Sequence, residues 1–117
     1  MGKIEDLIVF QKTYDFLVWL KIVVHRLAKV HKYSLGIQIE DESVRLIRQI
    51  TRANLTREDK RERISECLET LEVIKVLLRI SHEFNRSGGI SVKHYERGSE
   101  MLVEIGRLLG GWREKFK

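Results

Sequence analysis

The 117-residue chain contains no proline. That absence suits long uninterrupted helices better than a turn-rich fold. Cysteine occurs once, at Cys67, which excludes an intramolecular disulfide and fits a reducing compartment, with the thiol acting as a small buried hydrophobe. Of the four histidines, His25, His31, His82 and His94, none has a glutamate three residues before it, so the Glu-x-x-His pairs of a di-iron bundle are missing. No Cys/His cluster has zinc spacing and no glycine-rich loop follows a strand, so neither a metal nor another cofactor is expected. No apolar run reaches the roughly 20 residues of a membrane span. The longest, FLVWLKIVV (residues 16–24), carries Lys21 within it. The opening MGKIEDLIVF is charged early and has neither a small-residue cleavage site nor the serine or threonine of a myristoylation signal, so the reading is cytoplasmic, with no membrane partner.

What is present is charge and a helical rhythm. Twenty-two lysines and arginines face 17 acids, a formal +5 and a pI near 9.5, which makes acidic partners such as nucleic acid plausible without bearing on fold. Apolar residues recur at three and four, and the length suits one domain, residues 1–117. The first helix is expected over about Ile4–Val30, with Leu7, Phe10, Tyr14, Leu17, Val24 and Ala28 on its core stripe and a break at HKYSLG (31–36). Ser34 should cap a second helix, with Glu40, Asp41 and Glu42 in its first turns, ending near Asn54. Thr56 and Asp59 resemble a capping box for a third helix ending near Arg86. Ser87, Gly88 and Gly89 then turn the chain, and Ser91 caps a last helix to about Phe116, with Ile90 stapled onto Tyr95. Four helices with short connections make an all-α, up-down antiparallel bundle.

Two helices carry more apolar surface than a lone bundle needs. Beside the third helix's core stripe of Ile64, Leu68, Leu71, Ile74 and Leu78 runs a second one of Val73, Val76, Leu77, Ile80 and Phe84. In the first helix Trp19, Ile22 and Val23 lie off the main stripe. Such faces predict association of subunits. The last helix, with Ile105, Leu108, Leu109 and Trp112 toward the core, gathers Ser99, Val103, Gly106 and Gly110 into a smooth strip against which another backbone could pack; each glycine otherwise costs a helix about 1 kcal/mol.

The segments EIGRLLGGW (104–112), LEVIKVLLRISHE (71–83) and YSLGIQIED (33–41) resemble the accessory variability determinant proteins of diversity-generating retroelements. These belong to a wider four-helix-bundle family that includes proteins encoded in intervening sequences of bacterial large-subunit ribosomal RNA genes. The resemblance runs from about Leu7 to Trp112. It implies a homopentameric, barrel-like ring with a basic surface that binds RNA or DNA and associates with the element's reverse transcriptase during mutagenic complementary-DNA synthesis. A stand-alone structural or RNA-binding bundle of the intervening-sequence type is the alternative.

Two basic stripes are candidates for nucleic-acid or partner binding. Arg45, Arg48 and Arg52 share the outer face of the second helix, opposite Val44, Ile47 and Ile50. Lys75, Arg79, His82 and Arg86 form the strongly polar strip of the third. Phosphate contacts need only positive charge, so either stripe would bind tolerantly of sequence and sensitively to salt; no aromatic residues alternate with them as a base-stacking platform would require. Arg26 and His31 fit the R-x4-H spacing of a helical ribonuclease family, but no clear acidic partner precedes the arginine, and the chain is read as a non-enzyme with no catalytic residue.

Overall fold

The computed structural model describes Ile4 and residues 7–117, and the calls on the other amino-terminal residues lie outside that range. Four long helices carry the fold: α1 (Ile8–His25), α3 (Ile37–Leu55), α4 (Lys60–Glu83) and α5 (Val92–Arg113), with a single turn, α2 (Lys29–His31), before α3. α1 packs on α3 and α5, and α4 packs on the same two, so α1 and α4 occupy opposite corners of a body 46 × 19 × 19 Å in extent. Among the described residues there is no strand, and no helix is long and apolar enough to cross a membrane.

The core is a continuous apolar column that includes Phe16, Leu20, Leu46, Ile50, Ile64, Leu71, Ile74, Leu78, Leu102 and Ile105. Its α1 contribution departs from the expected stripe. The buried residues are Val9, Thr13, Phe16, Leu20, Val23 and Val24, whereas Tyr14 is half exposed. Thr13 can lie inward because its hydroxyl donates to the Val9 carbonyl at 2.8 Å, and a satisfied hydroxyl loses the main cost of burial. Ser43 and Ser81 do the same to Ile39 and Leu77. Cys67 is buried as expected; burial, with Glu66 adding to it, pushes its thiol up to about 12, which leaves it an inert packing group.

The connections correct several expectations. HKYSLG does not break the chain: α2 runs through a π-helical turn, Lys32–Gly36, into α3, and Ser34 bonds back to the Val30 carbonyl instead of capping. With no free helix start at Ile37, the acids that follow it complement no amino terminus. The break falls earlier, at 26–28, where Ala28 turns extended and donates its N–H to the Gly88 carbonyl at 3.0 Å. Gly88 has φ +94°, and a Cβ there would collide with Ala28, so only glycine lets the two connections meet. The Thr56–Asp59 capping box does not form. Thr56 bonds back to Arg52, and Asp59, left-handed at φ +55°, precedes α4 without a side-chain cap. α4 itself stops at Glu83, three residues before the expected end. Ser91 does cap α5, accepting from His94 N at 3.2 Å, and Ile90 beside it is buried.

Candidate nucleic-acid interface

α3 has its apolar and charged faces cleanly separated. Ile39, Ser43, Leu46, Ile50 and Ala53 are buried, and Arg45, Arg48 and Arg52 point outward. Those three arginines and Gln49 form one wall of a groove of about 510 Å³, and α4 supplies Arg63 and Glu66 to the other. Among the described residues none of the four guanidiniums has an ion-pair partner, although Asp41 and Glu66 also line the groove. Four cations against two acids leave local positive charge that a polyanion can neutralise, and arginine's planar fork suits phosphate oxygens. From Arg45 to Arg52 the helix rises about 10 Å, the length of about three nucleotides along one strand of a duplex. The side-chain oxygen of Gln49 is buried with no hydrogen-bond partner among the described residues, so the groove also holds an acceptor that a bound group could meet. Arg63 was not singled out in the sequence, because its place in the groove depends on how α4 is set against α3.

The α4 stripe is arranged differently. Lys75 pairs with Glu72 at 3.0 Å on its own helix. His82 is a structural residue and not an open phosphate contact: its Nδ1–H donates to the Ile90 carbonyl at 2.9 Å, and its ring stacks on Tyr95 with centroids 4.5 Å apart and planes 4° from parallel. The bond holds the end of α4 to the start of α5. Arg79 shares with Lys75, Tyr95 and Val103 a shallower groove of about 260 Å³ between α4 and α5, and Arg86 lies exposed in the turn at one end of the bundle.

The strip on α5 is open at Val103 and Gly110 and close-packed within the chain at Gly106. Val103 is 63% exposed, Ser99 is half-buried, and a Cβ at Gly110 would meet nothing within 4 Å, while one at Gly106 would come 3.1 Å from Leu71. Gly106 is therefore a close approach to α4, and Gly98, outside the expected strip, is another: Trp19 lies against its backbone and a Cβ there would stand 3.0 Å from the indole. Trp19 thus packs within the chain. Val73, Val76 and Ile80 on α4 and Phe84 just past its end are all substantially exposed, as are Tyr14, Val18 and Ile22 on α1.

The Arg26–His31 pair lacks the geometry of a nuclease centre. His31 is 8% exposed, its Nε2 lies 3.2 Å from Ser87 Oγ and its ring meets Phe84, so it anchors the connection between α4 and α5 while Arg26 points to solvent. Among the described residues no group of three or more histidines, cysteines or acids could hold a metal ion.

Fold and surface together define a basic, all-α four-helix bundle with outward apolar faces and an arginine-lined groove. The bAvd-like family model matches residues 7–116, and the chain belongs to that family. No curated protein and no solved structure matches it significantly.

Proposed function

We propose that the protein is the accessory variability determinant of a diversity-generating retroelement, a non-catalytic cytoplasmic protein that binds the element's reverse transcriptase and its nucleic acid and so supports mutagenic complementary-DNA synthesis. The observation that carries the nucleic-acid part is the α3–α4 groove, where four arginines stand without ion-pair partners among the described residues. Family membership supports the reverse-transcriptase part. The burial of His31 argues against the ribonuclease reading, since a general acid or base must reach its substrate.

The working form is a homo-oligomeric ring. The exposed apolar faces of α1 and α4 sit at opposite corners of the bundle, and two different patches on opposite sides associate head to tail, closing into a ring when the rotation allows. Five subunits follow from the family resemblance. A stand-alone bundle of the intervening-sequence type would share this fold but require no polymerase.

The test is co-purification with the reverse transcriptase of a diversity-generating retroelement, sought first among the neighbouring genes, followed by complementary-DNA synthesis with and without the accessory protein. Synthesis should depend on it and fall when Arg45 and Arg48 are both changed to glutamate. Light scattering at micromolar concentration should give a mass well above one subunit. A polymerase that neither binds the protein nor responds to it would leave the stand-alone alternative.

A further inference from the structure

Positive charge is concentrated at one end of the molecule. Residues 21–36 and 79–97 hold eight lysines and arginines against two acids, Glu83 and Glu96, and Glu40, which faces the groove at this end, brings the sum to +5; the whole chain is +5, so everything else sums to zero. All four histidines fall in the same two windows. The fold brings the windows together as one pole, through the Ala28–Gly88 backbone bond and the His31–Ser87 contact.

At this pole α1 and the π-helical turn enclose a groove of about 450 Å³. The charged and titratable groups facing it are Lys21, His25 and Arg26 from α1, Lys32 from the π turn and Glu40 from α3. Lys21 and Glu40 offset one another in an ion pair at 3.1 Å, whereas Arg26 and Lys32 have no carboxylate partner among the described residues. Lys32 Nζ instead lies 3.3 Å from His25 Nδ1 and 5.5 Å from the centre of the Tyr33 ring. An ammonium can only donate, so this contact needs a lone pair on Nδ1 and therefore a neutral imidazole. Protonating His25 turns the contact into repulsion between two cations, and an oxyanion between them relieves it. The other histidines are engaged elsewhere: His31 with Ser87, His82 with Ile90, His94 edge-on to Trp19.

We propose that this pole is a second contact for the nucleic-acid backbone, and that a phosphodiester entering the groove draws a proton onto His25. The proposal rests on the nucleic-acid reading and adds a site and a pH response to it. Linkage fixes the sign: if the filled groove favours protonated His25, affinity rises as pH falls through the range where histidine gains charge.

The probe is an oligothymidylate with hydroxyl ends, which carries no group that titrates between pH 6 and pH 8. Wild-type protein should bind it roughly three- to tenfold tighter at pH 6 than at pH 8, and His25→Gln should lose most of that ratio. Arg45→Glu with Arg48→Glu should weaken binding at both pH values and leave the ratio in place. Equal affinity at the two pH values, or a ratio that survives His25→Gln, overturns the proposal. A second measurement needs no nucleic acid: the His25 ring resonances, titrated in sodium sulfate and in sodium chloride at equal ionic strength. Sulfate should raise the midpoint, and Lys32→Gln should abolish the rise; identical midpoints in the two salts overturn the groove as an oxyanion site. If the sulfate effect is present and the oligonucleotide is not bound at either pH, the oxyanion groove stands and the nucleic-acid reading falls.

Discussion

The outward stripes of α3 and α4 carry the same kind of charge in different surroundings. On α3, Arg45, Arg48 and Arg52 look across a groove at Arg63, and none has an ion-pair partner among the described residues. On α4, Lys75 is held by Glu72 one turn away and His82 by the Ile90 carbonyl and the Tyr95 ring. A row of cations is therefore a binding surface only to the extent that its own neighbours leave it uncommitted. The difference comes from what stands beside each charge, not from the number of charges.

The largest test of this contrast is to reverse the α3 stripe. Arg45→Glu, Arg48→Glu and Arg52→Glu together should weaken binding to unrelated DNA and RNA by about a hundredfold or more, and should flatten the salt dependence by about one unit of slope per lost contact. Fluorescence anisotropy across a salt series measures both. Unchanged affinity in a folded triple variant would move the site away from the α3–α4 groove.

A smaller effect, and of another kind, is expected at His82. Replacing it by alanine removes the hydrogen bond to Ile90 and the stack on Tyr95, a loss of about 1–2 kcal/mol in stability. Denaturant unfolding should show that loss while oligonucleotide affinity stays within about twofold, since no phosphate contact is removed. A fall in affinity without a fall in stability would restore His82 to the binding surface.

The α4 cations come next. Lys75→Glu with Arg79→Glu should cost about fivefold in affinity at most, because one member is already paired and the groove they line is shallow. A loss matching that of the α3 triple would reverse the ranking of the two stripes.

How legible these features were depended on how far apart their causes lie in the chain. Ser91 and the Gly88–Gly89 turn act within a few residues, and both were readable. The exposed second face of α4 also followed from its apolar spacing, because Val73, Val76, Ile80 and Phe84 lie on one side of a regular helix. The phase of α1 was not readable: the helix is apolar on several sides, and Thr13 counts as polar until its bond to Val9 is known. The elbow at 26–28 depends on a carbonyl sixty residues away, at Gly88. In the candidate site the α3 arginines could be placed from helical spacing alone. Arg63, the commitment of His82 and the packing of Trp19 on Gly98 each required knowing which residue of one helix lies opposite which of another.

The finest distinction concerns Glu72. If Lys75 is held back by its neighbour, Glu72→Gln should release it and remove a nearby negative charge, so binding should improve. An exposed i,i+3 pair on one helix is worth about 0.2–0.5 kcal/mol, which limits the gain to about twofold at low salt and lets screening erase it near physiological ionic strength. Adding Lys75→Gln to Glu72→Gln should cancel the gain, since the released ammonium is what produces it. Anisotropy at two salt concentrations, with wild type, the single variant and the double variant measured side by side, resolves an effect of this size. An equal gain in the double variant would mean that Glu72 acts only as a repelling charge and that Lys75 takes no part in binding.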